Sequence, residues 1–287
     1  MTSVPEIHKD LPVAVFDSGV GGLTVLHECL VSLPHEDFVY LGDTQHFPYG
    51  DRSAEELQAF AFDLAGQLLD RGAKLLVVAC NSATAAALPT LRAEFGRTVE
   101  VLGVVTPESR LAASTTINGR VGLLATHTTV HSGAYDRALA QAAPHAQLFP
   151  VACAELAPLI QRDGEFDEQV VEAVERGCDP LREAGVDTVI LGCTHYPLVR
   201  PMIQRALGRG VKIVSSGHAI AEDVERVLRE RGLMNDESRR GEYSFLCTGD
   251  PESFSRVGTR FLQMPLGEVQ RLESLSTTEL IAARRVA

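Results

Sequence analysis

The sequence predicts an α/β fold of two pseudo-symmetric, doubly wound parallel-sheet domains that face each other across a cleft. Three observations carry this. Short β-branched runs alternate with longer helical patterns along the 287 residues, the signature of mainly parallel strands. Two apolar runs, RGAKLLVVACNSAT and AGVDTVILGCTHYP, end on Cys80 and Cys193 and match at an offset of 113 positions, with Gly72 opposite Gly185. The segment 13–18 (VAVFDS) repeats in outline as 121–126 (VGLLAT), each a buried strand that ends on a small polar residue.

In chain order, strands are expected at 13–16, 38–41, 75–79, 99–104, 121–125, 188–191, 211–214 and 243–247. The clearest helix begins at Ser53, where Ser53 and Glu56 form an S-x-x-E capping box. Behind it Leu57, Phe60, Ala61, Leu64, Ala65, Leu68 and Leu69 keep the spacing of one buried stripe, and Gly72 supplies the stop. The second half starts near Val105. After Val211 the pattern no longer fits that half and reads as a return to the first. The expected division is therefore 1–104 plus 213–287 for a discontinuous first domain, and 105–212 for a second. The charged stretch 235–242 reads as a solvated loop, and residues after about Leu272 as a tail.

Composition narrows the function. A hydrophobic content of 45% with mean hydropathy near zero suits a globular protein with a full core. A net charge of −12 argues against a nucleic-acid partner, which needs a basic face. The N-terminal MTSVPEIHKD has charges where a signal peptide needs an apolar stretch, and no apolar run approaches the ~18 residues of a membrane span. A cytoplasmic chain with no membrane partner is expected, its six cysteines reduced. They form no C-x-x-C pair and no zinc spacing, so no metal site is expected.

In open α/β sheets ligands collect at the carboxyl ends of strands, where Cys80 and Cys193 both fall. A free cysteine is often an inert core residue. Here both copies continue into hydrogen-bonding residues, Asn81 and Ser82 in one and Thr194 and His195 in the other. Each cysteine also precedes a helix start, which favours thiolate. The segment FDSGVGGLTVL is a strand followed by a glycine loop. It lacks both G-x-G-x-x-G, since Thr24 holds the third position, and the P-loop G-K-[ST], so a carboxylate or phosphate suits it better than a nucleotide. Asp17 is either a loop cap or part of a site. His195 is either a helix cap or the proton partner of Cys193. The loop YLGDTQHFPYG has turn chemistry at Pro48, Tyr49 and Gly50. Thr126 and Thr129, in ATHTTV, either cap a helix or bind a carboxylate.

Two separated thiols suit few reactions. A C-x5-R phosphatase needs arginine where Val199 stands, and a disulfide oxidoreductase wants C-x-x-C. Stereochemical inversion at carbon does need two groups. One removes a proton from one face, the other returns a proton to the opposite face, and the reverse reaction exchanges the roles. Two thiols of ordinary pKa ~8.5 meet that symmetric demand.

The motifs DSGVGGLTVL, GDTQHFPYG, ACNSATAAAL, GLLATHTTV, GCTHYP and TGDPESF resemble, in order and over nearly the whole chain, those of the bacterial glutamate racemases. The resemblance implies an isomerase that interconverts L- and D-glutamate without a cofactor, supplying D-glutamate for peptidoglycan and cell wall. It also implies a homodimer. The neighbouring alternative is an aspartate racemase with the same thiol pair. Carried over, Cys80 and Cys193 are the acid/base thiols, with Asp17 assisting Cys80 and His195 assisting Cys193. Asp17, Ser18, Tyr49, Gly50, Asn81, Ser82, Thr126, Thr129, Thr194 and His195 are the implied substrate-binding residues. Two positions depart from the family pattern. Ser82 replaces the usual threonine, and Gln161, in ACAELAPLIQ, stands where glutamate is common. Glu155 or Glu165 is an alternative source of that carboxylate.

Overall fold

The computed structural model describes residues 7–286. It has ten strands in two sheets, and every strand pair is parallel. They are β1 (Val13–Asp17), β2 (Phe38–Gly42), β3 (Leu75–Val78), β4 (Glu100–Gly103), β5 (Arg120–Ala125), β6 (Gln147–Ala152), β7 (Thr188–Gly192), β8 (Lys212–Val214), β9 (Tyr243–Cys247) and β10 (Val269–Arg271). The first sheet runs β10-β9-β2-β1-β3-β4 and the second β6-β5-β7-β8. The order 2-1-3-4 of the first sheet recurs as 6-5-7-8 in the second. The repeat seen at the two cysteines is thus a repeat of topology, with β3 equivalent to β7 and β1 to β5.

β1, β2, β3 and β7 are buried at every position, as parallel strands covered on both faces must be. The helix Ala54–Asp70 starts at the expected capping box: Glu56 N–H donates to Ser53 Oγ (3.2 Å) and Ser53 N–H to Glu56 Oε2 (2.9 Å). Its buried stripe, Leu57, Phe60, Ala61, Leu64, Ala65 and Leu68, packs with β1 and β3 side chains into one core cluster. Gly72 ends it at φ +86°, a left-handed conformation that glycine adopts without steric cost.

Four features differ from the sequence reading. β8 pairs with β7, so the four-stranded sheet runs to Val214 and the return to the first unit falls after that strand rather than at 213. The topology gives the reason, since β8 is the counterpart of β4. Two strands went unforeseen. β6 has an apolar run, but Pro150 interrupts it and argues against a strand except on an edge, which is where β6 lies, with no fully buried residue; β10 has only three residues. The stretch 235–242 is the largely exposed loop expected, but it carries anchors that the sequence did not suggest. Asn235 N–H donates to the buried Glu36 (2.7 Å), which pairs with the buried Lys74, and Arg239 grips Asp37 through both carboxylate oxygens. The presumed tail contains the helix Thr277–Val286, which lies on Ala54–Asp70 with Leu280 buried and the Arg284 guanidinium 3.9 Å over the Phe62 ring. Among the described residues no helix is long and apolar enough to cross a membrane.

The carboxyl ends of β1, β3, β5 and β7 deliver Ser18, Cys80, Thr126 and Cys193 to the space between the sheets.

Candidate active site

That space is a cavity of about 260 Å³, below the usual range of drug-sized pockets and suited to a small molecule. Both Cys80 and Cys193 line it, at 5% and 8% exposure. Cys80 is the N-cap of the helix Asn81–Phe95, and its Sγ accepts from Ala83 N–H (3.4 Å). Cys193 is followed by the four-residue 3₁₀ turn Tyr196–Val199, which leads directly into the helix Arg200–Leu207.

The expected acidification of the thiols by helix starts is outweighed. Burial pushes Cys80 up to about 12, helped by the negative charge of Asp17, and the Ala83 N–H offsets only part of this. Burial likewise raises Cys193 well above the ordinary thiol value. A buried sulfur prefers to keep its proton, so a thiolate here needs a nearby positive charge.

The proposed helpers sit differently from one another. Asp17 does not line the cavity. Its Oδ1 accepts from Gly19 N–H (3.1 Å) and Ser18 Oγ (3.3 Å), and its Oδ2 accepts from Thr194 Oγ1 (3.2 Å). Burial raises its carboxyl to about 6. Asp17 therefore ties the first β-strand to the loop that carries Cys193. His195 does line the cavity, with Nδ1 3.9 Å from Cys193 Sγ. Its Nε2–H donates to Gln161 Oε1 (2.8 Å), which leaves the Nδ1 lone pair for the thiol. Phe47 stacks on the imidazole at 5.4 Å and Phe261 meets it edge-on at 5.2 Å. That dry setting lowers His195 to about 3, so the ring is neutral. Gln161 itself fills the position beside His195, and Glu155 instead lines the cavity and lies 3.7 Å from Arg176.

Ser18, Tyr49, Gly50, Asn81, Ser82, Thr126 and Thr194 all line the cavity. Thr129 does not. It lies behind, closing a ring of hydroxyls in which Ser82 Oγ, Thr126 Oγ1 and Thr129 Oγ1 are 2.9 to 3.0 Å apart. The Tyr49 hydroxyl is turned away as well, donating to Asp43 Oδ2 (2.5 Å) beside His46, so the tyrosine offers its ring. The peptide bond between Phe47 and Pro48 is cis.

The two sheets are joined around the cavity. Thr24 Oγ1 donates to Thr194 O (2.9 Å), Thr128 N–H to Gly50 O (3.0 Å), and His127 Nδ1 meets Asp51 Oδ1 (2.9 Å) at the rim. Sequence reasoning missed the wall residues Phe47, Asp51, His127 and Pro158. His127 lay inside a motif already singled out, while Pro158 had no local signal.

Two cysteines on equivalent strands of a duplicated parallel sheet converge on one small cavity, and together with its relatives this fold places the chain among the amino-acid racemases, a class of isomerases. The chain belongs to the Asp/Glu/Hydantoin racemase family, whose model matches residues 25–224. It is 43% identical to a glutamate racemase of Acidothermus cellulolyticus over 92% of this chain and 100% of that protein. Among solved structures, a glutamate racemase isoform from Bacillus anthracis matches with a TM-score of 0.88 at 36% identity, over 93% of this chain and 98% of that one. The Francisella tularensis glutamate racemase, crystallised with D-glutamate, matches with a TM-score of 0.85 at 29% identity, over 94% and 99%.

Proposed function

We propose that this protein interconverts L- and D-glutamate by 1,1-proton transfer between two cysteines, without a cofactor, and so supplies D-glutamate for peptidoglycan. The observation that carries this is the meeting of Cys80 and Cys193, one from each sheet, in one small cavity. The naming of the relatives supports glutamate as substrate.

The chemistry follows from the surroundings of each sulfur. One cysteine acts as thiolate and removes the α-proton, becoming a thiol. The other, a thiol, gives its proton to the opposite face and becomes a thiolate. The roles are then reversed for the other enantiomer. The free amino acid is a weak carbon acid, so the developing negative charge must meet fixed dipoles in a space closed to water. Asn81, Ser82 and Thr194 are the polar groups beside the sulfurs. The ammonium group of the substrate brings the positive charge that a buried thiolate lacks. On the Cys193 side, the neutral His195 presents its Nδ1 lone pair as a hydrogen-bond acceptor that orients the thiol. On the Cys80 side, Asp17 acts through Ser18, which bonds both its carboxylate and the Cys80 sulfur.

The decisive test follows each glutamate enantiomer in D2O by optical rotation and α-deuterium content, with aspartate in parallel. Loss of rotation with glutamate is expected; a response to aspartate alone would move the assignment to an aspartate racemase. Cys80→Ser and Cys193→Ser should each abolish racemisation, and full activity in either would refute the two-base assignment. The proposed setting is a cytoplasmic homodimer, which light scattering of the purified protein checks.

A further inference from the structure

The cavity wall at Asn81 is held from behind by two buried groups. Asn81 Nδ2 donates to the Tyr135 hydroxyl oxygen (2.7 Å) and to Glu108 Oε2 (3.0 Å). The Tyr135 hydroxyl donates to that same carboxyl oxygen, so the three side chains close into a ring. Glu108, on the helix Val105–Thr115, is 0% exposed, and Tyr135, on the helix Ala134–Ala142, is 1% exposed. Both amide hydrogens of Asn81 are thereby used. Its Oδ1 is buried without a hydrogen-bond partner, as is Glu108 Oε1 at the back of the ring, and of these two residues it is Asn81 that lines the cavity with both cysteines.

A carboxamide has two unlike ends, two donors on nitrogen and an acceptor on oxygen, and a half-turn of the side chain exchanges them. What sits behind it decides which end is left for a ligand. Glu108 Oε2 accepts from both Tyr135 and the Asn81 nitrogen whether or not Oε1 carries a proton, so turning the Asn81 oxygen towards it would set acceptor against acceptor. An ammonium group has three donors and no acceptor. It pairs with a carbonyl oxygen and gains nothing from an NH2 group.

We propose that Glu108 and Tyr135 are positioning residues of this site: they hold the Asn81 carboxamide with Oδ1 as its free acceptor, and Oδ1 receives the ammonium group of the bound amino acid. The inference rests on the glutamate reading above. It assigns amino-group recognition to a carboxyl–phenol pair on the second half of the chain, acting through a residue of the first.

The test compares two ligands in wild type, Glu108→Leu and Tyr135→Phe. One is glutamate, read as KM and kcat for each enantiomer. The other is glutarate, read as an inhibition constant, since it carries both carboxylates and no ammonium. In each variant KM for glutamate should rise roughly tenfold, the cost of a misaligned hydrogen bond to a charged group, while the glutarate constant stays unchanged. Tyr135→Phe keeps the ring volume and carries the test if Glu108→Leu does not fold. An active wild type whose variants weaken glutamate and glutarate alike, or neither, overturns the inference alone. A wild type that racemises neither enantiomer overturns the glutamate reading and this inference with it.

Discussion

At Gly21 the glycine loop leaves no room for a side chain. A Cβ there would overlap His195 Nδ1 and Thr194 Oγ1. Neither can step aside, because Phe47, Phe261 and Gln161 hold the imidazole, and Asp17 accepts from the Thr194 hydroxyl. Gly21→Ala should therefore cut kcat/KM about 100-fold or more by displacing His195 from Cys193, while the thermal midpoint falls only modestly. Steady-state kinetics beside a melting curve checks this, and an unaltered kcat/KM would count against any role for that contact. The same residues show what a sequence can and cannot display. Cys80 and Cys193 were legible because each sits in a short motif that occurs twice. Gln161 was visible as a departure from a pattern, but its partner was not. Glu108 and Tyr135 left no local sign, since they lie 27 residues apart and meet Asn81 only through tertiary packing.

Among the elements, those whose burial pattern is local were easy to read. The helix Ala54–Asp70 carries its cap, stripe and stop in consecutive residues, and β1, β3, β5 and β7 are continuous apolar runs. Edge strands were harder: β6 is half-exposed along its length, and β10 pairs only with β9. The C-terminal helix was misjudged because its charged residues hide a single anchoring position. Leu280 is 5% exposed and joins the cluster around Leu57, Phe60 and Leu64. Ser276 and Glu279 cap the start of the helix through reciprocal hydrogen bonds. Leu280→Ala should cost about 2–3 kcal/mol, the lower part of the range for buried leucine truncation. Chemical denaturation should register it while KM for glutamate stays unchanged, since the helix is remote from the cavity. A variant as stable as the parent would show that the helix adds nothing to the domain.

For the molecule as a whole, buried ionisable groups in and around the cleft set opposing pH dependences. Glu108 is raised by burial from 4.5 to about 8, and Asp17 from 3.8 to about 6. Between its unfolded and folded pKa each binds more protons folded than unfolded. Their contribution is therefore fully present below pH 4 and is lost as pH rises through 6 and then 8. His195 is lowered from 6.5 to about 3, so its contribution is present above 6.5 and lost as pH falls towards 3. Glu108→Gln removes the upper limb. Relative to wild type it should be more stable at pH 8 than at pH 5, by of the order of a few kcal/mol. Unfolding free energies at the two pH values decide it, and an equal offset at both would show that Glu108 does not titrate on unfolding.

The near-complete burial of both sulfurs also decides who owns a hydrogen during turnover. With so little of either sulfur exposed, the expectation is that neither thiol exchanges with water while a substrate fills the cavity, so that a hydrogen lifted from carbon stays on its sulfur for that one encounter. If the intermediate collapses backwards, the substrate recovers its own atom. If it goes forwards, the product leaves with the atom that the opposite sulfur had carried since the last opening. Isotope bookkeeping therefore works as a clock for the cleft rather than for the chemistry. With α-deuterated L-glutamate in ordinary water, unconverted L-glutamate recovered early should still carry its deuterium, while the D-glutamate formed carries hydrogen; mass spectrometry of the separated enantiomers reads both. Early loss of label from unconverted substrate would mean that the sulfurs trade with solvent within a single binding event.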